Sequence, residues 1–337
     1  MTHPRRRALL AAAGLLPLLS RAHAADLAAL ARDAAAEQGD LSWYESNPIA
    51  ALERVTAAFT RAHRVRVRPE SVAGGVGIVG RVANEAQAGS GRTADVVSLG
   101  GSGILRLNER NLLAPTDWAT MGFAREWIGG PALLTAASLY CVVYNKQMVP
   151  EAQVPRRWED LLDARWRGRI GTWVQMAAFA ELAFVWGEAR TNQFVDAFLR
   201  QEPMLFRSTA PLAQQVAAGE IALGLGIYHT ALPPMRRGAP IDVVMLDPTP
   251  VSAIWTAAVR NTPRPNGARL LGAWLATTDG ARAYEAATSR GHPLMSETDT
   301  GARLRGLTLA EWPIERKDEY ARIFEGYNGR VNAAGAR

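Results

Sequence analysis

A unit of strand, polar turn and helix occurs three times near the start of the chain, and it limits the fold more than any other feature. The apolar run at 96–99 is typical of a buried parallel strand, ends at the Gly-Gly-Ser-Gly segment 100–103, and is followed by apolar residues at helical spacing over 104–107. Similar units begin near Leu41 and Val65. Three such units in succession predict an α/β fold with a doubly wound parallel sheet.

The turn at 100–103 is also a candidate ligand site. A strand that ends in glycines and a serine leaves the first N–H groups of the next helix without partners, and these donors together with the helix dipole attract an anion. In an open α/β sheet, ligands bind at the carboxyl ends of the strands. The same residues are equally typical of an ordinary strand–helix turn in which Ser102 is the N-cap.

Length and charge set broad limits on the class of protein. A chain of 337 residues is long enough for two domains of ordinary size. The formal net charge is +6, but four of the arginines lie in the first 24 residues, and without them the charge is +2. The remaining arginines are scattered, so the sequence predicts no nucleic-acid partner.

The segment 1–24 is typical of an export signal. Three arginines at 5–7 precede an apolar run at 8–19, and Ala22-His23-Ala24 matches an A-x-A cleavage site. The arginines resemble a twin-arginine signal, although the general secretory route is an open alternative. The only cysteine, Cys141, excludes an intrachain disulfide. We therefore expect a soluble, exported, periplasmic protein.

Strands and helices continue to alternate through the rest of the chain. Asn47 and Pro48 are expected to be the N-cap and first residue of the first helix after Leu41. A buried strand is predicted at 139–144, and further strands are predicted to end near Trp173 and His229. Two helices at 267–276 and 279–287 precede an arginine-rich, amphipathic tail.

Three stretches together resemble a known family. They are ADVVSLGGSGILRLNERNLLAP, RSTAPLAQQVAAGEIALGLGIYH and GAPIDVVMLDPTPVSAIWTAAVRNTPRPNGARLLGAWL. In this order they resemble family 1 of the extracellular solute-binding proteins of ABC importers, which includes binders of ferric iron and binders of phosphorylated or other small anions. The resemblance covers about residues 41–287.

The resemblance implies a fold and a partner. The fold would be the two-lobe α/β periplasmic-binding-protein fold of type II, each lobe a doubly wound sheet, with hinge crossings near 139–144 and 245–253. The implied divisions are 25–142 and 249–299 for the first lobe, 143–248 for the second lobe, and 300–337 for a C-terminal helical tail. Ligand would bind between the lobes of a monomer, which would then deliver it to an ABC permease in the inner membrane.

Turns at strand ends in both lobes are predicted to line this cleft. Their hydroxyl groups and glycine N–H groups suit an oxyanion held by neutral donors and helix N-termini. Each of them is also typical of ordinary capping or turn chemistry. The predicted ligand-binding residues are Glu45, Ser46, Gly74, Gly75, Ser98, Gly100, Gly101, Ser102, Thr172, Trp173, Ser208, Thr209, Tyr228 and His229. No catalytic residue and no cofactor are predicted.

Other functions are open at this point. Ferric iron would use Tyr228, His229 and Glu45, but ferric binders of the resembled family often have adjacent tyrosines where this chain has Tyr-His, so Fe³⁺ is the second hypothesis.

An exported nicotinamide-dependent oxidoreductase would use the G-x-G-x-x-G pattern at 75–80 with Asp95, although a strand ending near Val67 would leave a long insertion before the pattern. A hydrolase is disfavoured because the segment 100–103 lacks the second glycine of G-x-S-x-G.

Overall fold

The computed structural model describes residues 27–89 and 93–335, so the predicted export signal lies outside the described residues. Within the described residues, no helix has the length and apolar character needed to cross a membrane. The strands are β1 (Leu41–Glu45), β2 (Val67–Ser71), β3 (Val96–Gly100), β4 (Ile128–Gly129), β5 (Ala132–Asn145), β6 (Ile170–Trp173), β7 (Met204–Phe206), β8 (Leu223–Ile227), β9 (Ile241–Val244), β10 (Thr249–Ala258) and β11 (Leu309–Ala310).

Helices connect most of these strands. They are α1, of which the described part covers 27–36, then α2 (Ile49–His63), α3 (Gly74–Ala88), α4 (Gly101–Glu109), α5 (Ala177–Trp186), α6 (Glu188–Leu199), α7 (Thr209–Ala218), α8 (Tyr228–Arg236), α9 (Pro265–Leu275), α10 (Thr278–Thr288), α11 (Asp299–Arg303) and α12 (Lys317–Gly335).

The strands form one continuous sheet with two parallel halves. Its order is β2-β1-β3-β10-β5-β8-β6-β7, and β4, β9 and β11 pair at its sides. In the first lobe β1, β2 and β3 are parallel, and in the second lobe β6, β7 and β8 are parallel. Because the carboxyl ends of β3 and β8 both lie beside the middle of β5 and β10, the turns that follow the parallel strands face the region between the lobes.

Two long strands carry the chain between the lobes. Strand β5 pairs with β10 up to Leu139 and with β8 from Tyr140 onward, so its partner changes where the lobes meet. Strand β10 follows β9 through the segment 245–248 and returns the chain to the first lobe. These crossings confirm the two-lobe α/β fold that the sequence predicts, while the exact lobe boundaries stay predictions.

Each half of the sheet has helices on both faces. In the first lobe Trp43 and Phe59 pack with α2 and α9 on one face, and Val79 and Ile104 pack with α3 and α4 on the other. In the second lobe α5, α6 and α12 cover one face, and α7 and α8 cover the other. Burying both faces of a parallel sheet explains why inner strands such as β3 and β8 are mostly apolar rather than alternating.

A segment near the C-terminus joins the two lobes. Residues 311–316, which we call the strap, follow β11 and lead into α12. Within the strap, the N–H of Trp312 donates to the carboxylate of Glu181 in the second lobe at 2.7 Å, and Ile314 packs against the first-lobe cluster that contains Trp255. Just after the strap, Lys317 forms an ion pair with Glu109 of α4. The strap therefore contacts both lobes beside the hinge strands.

Candidate functional site

Three polar side chains meet where the two lobes touch, and we call Asn47, His229 and Arg290 the lobe junction. Asn47 follows β1 of the first lobe, His229 is the second residue of α8 in the second lobe, and Arg290 lies two residues beyond α10. The Arg290 guanidinium donates to Asn47 Oδ1 at 2.9 Å and to His229 Nε2 at 3.0 Å. One cation thus connects residues from both lobes.

The lobe junction has more hydrogen-bond donors than acceptors. Arg290 can only donate, so His229 accepts at Nε2 and its proton is on Nδ1. Burial and the Arg290 charge lower the pKa of His229 well below its ordinary value, which keeps the ring neutral. His229 Nδ1 and Arg290 Nε are both buried without a partner. Among the described residues no carboxylate lies within 4.0 Å of Arg290.

Glu45 lies next to this junction but forms no ion pair with Arg290. Its carboxylate is 1% exposed and accepts hydrogen bonds from the N–H of Asn47 at 2.8 Å and from the Ser46 hydroxyl at 3.4 Å. The Asn47 side chain donates to the Tyr284 hydroxyl at 3.0 Å and accepts from Arg290. The expectation that Asn47 caps α2 was wrong, because these tertiary partners occupy its side chain and Pro48 is the N-cap.

In the second lobe the structure brings together three predicted residues. Thr172 and Trp173 at the end of β6 and Thr209 at the start of α7 line one small gap with Tyr140. Trp173 Nε1 donates to the carbonyl oxygen of Arg207 at 3.3 Å. Ser208, the N-cap of α7, is exposed and makes no capping hydrogen bond with its side chain. Thr172 and Thr209 are nearly buried, so this gap is tight in the present arrangement.

The predicted glycine turns of the first lobe lie at two separate helix N-termini. Gly74 and Gly75 begin α3, whereas Gly100 is the N-cap of α4 and Gly101 and Ser102 are its first two residues. The alternative that Ser102 caps α4 is wrong, because Gly100 is the N-cap and Ser102 is the second residue of the helix. These turns are all at carboxyl ends of parallel strands, as predicted.

Ser98 has a different environment. It is 1% exposed, accepts from Trp43 Nε1 at 2.9 Å, and shares a hydrogen bond with the Thr256 hydroxyl at 2.7 Å. Thr256 in turn hydrogen bonds to Thr135 at 2.9 Å. The Ser98 hydroxyl therefore joins three strands inside the sheet, and we leave it out of the candidate site.

The three residues of the ferric hypothesis face different partners. The Tyr228 hydroxyl donates to Asp299, and burial together with that hydrogen bond raises the pKa of the phenol, which disfavours the phenolate that Fe³⁺ needs. His229 accepts from the Arg290 cation, and Glu45 accepts from Asn47 and Ser46. In the part of the chain that the structure describes, no three His, Cys, Asp or Glu residues are grouped so that they could hold a metal ion.

The glycine pattern of the oxidoreductase hypothesis lies in a helix. Strand β2 extends to Ser71, so the expected long insertion before the pattern was wrong, but α3 already begins at Gly74 and encloses the pattern in its first turns. Asp95 is fully buried and accepts hydrogen bonds from Ser42, Thr262 and Arg264. Its carboxylate is therefore occupied by the protein itself and is not available to a ribose.

A cavity of about 500 Å³, the strap cavity, lies between the strap and the first lobe. Its walls include Gly101 at the start of α4, Gly129, Ser252 and Trp255 from the sheet, and Glu311 and Trp312 from the strap. Burial raises the pKa of Glu311 to about 7. Glu181 lies beside Glu311 and has a pKa raised well above its ordinary value by burial and by the charge of Glu311.

Glu311→Gln is expected to stabilise the protein more as the pH rises. Between the ordinary carboxyl pKa and about 7, the folded state binds more protons at Glu311 than the unfolded state does, so wild-type stability falls across this range. Glutamine does not ionise. We expect its free energy of unfolding to exceed that of the wild type by on the order of 2 kcal/mol at pH 8 and by almost nothing near pH 4.

Urea titrations at pH 4, 6 and 8 measure this difference. The exposed Glu325 of α12 is the matched control, because Glu325→Gln removes the same charge without removing a buried carboxylate. A constant difference between Glu311→Gln and the wild type at all three pH values would contradict the prediction.

Sequence reasoning missed Arg290 and Glu311. Arg290 lies in the polar turn Ser289-Arg290-Gly291, which has the composition of any helix-ending turn. It is 243 positions from Asn47 and 61 from His229, so no local pattern connects them. Glu311 lies in a tail that the sequence marks only as amphipathic. The cavity beside it could not have been found without the fold.

The sequence was compared with protein families and with known proteins. A family model described as bacterial extracellular solute-binding protein matches residues 54–302, more than half of the chain. An uncharacterised protein of Haemophilus influenzae is 26% identical over 160 residues, which make up 44% of this chain and 44% of that protein. The match thus covers less than half of that protein's length.

Several solved structures have a similar fold. Iron-bound HitA from Pseudomonas aeruginosa superposes with a TM-score of 0.70 at 17% identity over 87% of this chain and 99% of HitA. The periplasmic binding protein AfuA from Actinobacillus pleuropneumoniae, with fructose-6-phosphate bound, gives 0.66 at 17% identity over 88% and 99%. A substrate-binding protein of an ABC transporter from Agrobacterium tumefaciens gives 0.69 at 16% identity over 88% and 95%. At these identities the likeness establishes the fold alone.

Proposed function

The chain belongs to the bacterial extracellular solute-binding proteins, and from that membership we propose that it captures a small anionic or phosphorylated solute between its lobes. We further propose that it works in the periplasm as the substrate-binding component of an ABC importer and delivers the solute to the permease unchanged. The fold supports this proposal, because two lobes joined by β5 and β10 can close on a ligand that touches both.

The observation that carries the choice of ligand is the unbalanced charge at the lobe junction. Arg290 is a permanent cation without a carboxylate partner among the described residues, and His229 Nδ1 is a second donor without an acceptor. A buried donor without an acceptor costs about 1 to 3 kcal/mol. An oxyanion that entered when the lobes part would supply the missing acceptors and a compensating charge.

The buried position of these donors implies that the lobes open to admit a solute and then close on it. Both atoms are enclosed in the present arrangement, so a solute reaches them only when the bridge that Arg290 forms between Asn47 and His229 opens. A ligand that hydrogen bonds to both lobes stabilises only the closed form, which shifts the population towards it. The exposed turn at Gly101 and Ser102 offers further N–H donors on the first-lobe side.

Ferric iron is the second candidate, and the fold similarity to iron-bound HitA favours it. The guanidinium 3.0 Å from His229 argues against iron, because it repels a trivalent cation at the nitrogen that would bind it. Tyr228 would also have to leave Asp299 before it could act as a ligand. Beyond the opening that either ligand requires, iron thus also requires that Tyr228 leave Asp299 and that Arg290 leave His229.

Native mass spectrometry of protein purified from periplasm tests the proposal, and a thermal-shift screen with phosphate, sulfate and fructose-6-phosphate complements it. A bound anion at 100 times its Kd should stabilise the fold by about 2.7 kcal/mol. A retained oxyanion or phosphorylated compound and an anion-dependent shift are the expected results. Retained iron without any anion response would establish the second candidate instead, and a retained nicotinamide would overturn both.

A further inference from the structure

Two indole side chains line the strap cavity and approach the same glycine. A Cβ atom added to Gly101 would lie 3.3 Å from Trp312 Cζ2 and 3.6 Å from Trp255 Nε1, so both rings reach the backbone at the start of α4. Trp312 also stacks on Tyr320 of α12, with ring centroids 4.7 Å apart and planes tilted by 19°. The stack and the sheet thus hold both indoles in place around an open space of about 500 Å³.

The inner part of this cavity has acidic character. Glu311 lines it, and among the described residues none donates a hydrogen bond to the Glu311 carboxyl. Arg125, Glu126 and Glu315 lie at the outer rim and are exposed. The interior therefore offers one carboxyl group and two indole side chains, while Arg125, the one cation of the lining among the described residues, is exposed.

The buried surroundings of Glu311 raise its pKa to about 7, so that about half of its carboxyl groups carry a proton at neutral pH. Glu181 of α5 lies on its inner side, where it accepts from the N–H of Trp312 and from Tyr320. Tyr140 of β5 faces Glu181 from the hinge. No cation from these elements faces Glu311 from the interior among the residues described. A positively charged guest would supply the missing partner.

We propose that the strap cavity is a binding site for a small organic ammonium ion, with its N–H groups on Glu311 and its carbon chain between Trp255 and Trp312. An ammonium group over an aromatic face gains a cation–π interaction, and its apolar chain gains contact with the indoles. The volume lies within the range of small-molecule sites. None of the lining residues belongs to the lobe junction, and of the predicted ligand-binding residues the described lining includes Gly101 alone. This site therefore goes beyond the proposed anion receptor and rests on different side chains.

Cation binding should be coupled to the ionisation of Glu311. The ammonium ion binds the carboxylate, and the carboxyl group must release its proton to solvent when the ion binds. With a pKa of about 7, the ionised fraction of Glu311 rises about tenfold between pH 6 and pH 8. The apparent affinity for an amine that stays protonated over this range should therefore rise about tenfold as well.

Calorimetric and tryptophan-fluorescence titrations with n-butylammonium chloride test this site, and n-butanol is the neutral probe of the same shape. We expect saturable n-butylammonium binding that is about tenfold tighter at pH 8 than at pH 6, and no saturable n-butanol binding at the same concentrations. Equal binding of the two probes, or no saturable n-butylammonium binding at pH 8, would overturn the proposal.

Two variants locate the binding. Glu311→Gln should weaken n-butylammonium binding at least tenfold and remove its pH dependence, whereas Glu325→Gln, which removes an exposed charge on α12, should bind as the wild type does. Because Glu311→Gln is expected to be as stable as the wild type or more so, unfolding does not explain a loss. Undiminished binding by Glu311→Gln would contradict the proposal. The response of the protein to anions in the thermal-shift screen does not depend on whether n-butylammonium binds, so the two proposals can fail separately.

Discussion

Replacing Asp95 with alanine is expected to lower the free energy of unfolding by about 3 to 5 kcal/mol, because it leaves a partly buried arginine and a backbone N–H without their acceptor. Asp95 is fully buried just before β3. One carboxylate oxygen accepts from the N–H of Ser42 at 2.7 Å and from Arg264 at 2.8 and 3.0 Å, and the other accepts from the Thr262 hydroxyl.

The position of Asp95 explains the size of this effect. Ser42 belongs to β1, while Thr262 and Arg264 connect β10 to α9, so one carboxylate holds three elements of the first lobe together. The Arg264 side chain is only 20% exposed, so water cannot fully replace the lost carboxylate. Urea titration at pH 7 measures the loss, and an unchanged m value would show that the unfolded state is the same.

Two further variants give this prediction its controls. Asp40→Ala removes an ion pair with Arg66 in which both side chains are largely in solvent, and its cost should stay within about 0.5 kcal/mol. The double variant Asp95→Ala/Arg264→Met should be less destabilised than the two single effects added together, because no unpaired charge is left behind. A loss of less than about 1 kcal/mol in Asp95→Ala would contradict the role assigned to it.

Asp95 also shows what the sequence can and cannot establish. Its distance from the glycine pattern at 75–80 is typical of a dinucleotide site, and only its hydrogen bonds reveal a structural carboxylate. The alternation of strand and helix, by contrast, follows from local periodicity, and the structure confirms the α/β fold built on it. Local hydrophobic periodicity predicts which strand or helix a residue belongs to. The hydrogen-bond partners of its polar atoms are distant in the sequence and are known only from the fold.

Strand β2 ends later than its local sequence pattern predicts. Its sequence, Val67-Arg68-Pro69-Glu70-Ser71, contains a proline and two charged residues and is therefore typical of a loop. In the fold β2 pairs only with β1, so it is an edge strand, where a proline without an N–H is tolerated. The proline is therefore compatible with an edge strand, but the local pattern does not show that the strand continues past it to Ser71.

Ser98 illustrates the same limit within a correctly predicted strand. Side chains alternate along β3, so Val97 and Leu99 face α3 and α4, while Ser98 faces the opposite side and meets Trp43. A serine two residues before a glycine turn is therefore directed into the sheet rather than into the cleft. Its partner Thr256 is 158 positions away, on the strand that returns from the second lobe.

Arg290→Met is expected to weaken anion binding at least 100-fold, which corresponds to about 2.7 kcal/mol. Arginine offers several N–H donors and a charge to an oxyanion, and methionine keeps much of the length of the side chain without either. In the absence of an anion the variant should lose no more than about 1 to 3 kcal/mol of stability, because Asn47 Oδ1 and His229 Nε2 lose their donor but no carboxylate among the described residues loses a partner. Calorimetric titration with phosphate and with the anion of largest thermal shift measures the loss.

Arg282 provides the matched control for this measurement. It lies eight positions before Arg290, is exposed, and donates to the carbonyl oxygen of Glu297. Arg282→Met therefore removes the same charge from the same region and should leave the anion affinity within about threefold of the wild type. If both variants lost affinity equally, the general positive field would be responsible. If Arg290→Met retained wild-type affinity, the anion would bind elsewhere and the lobe junction would be only a structural contact.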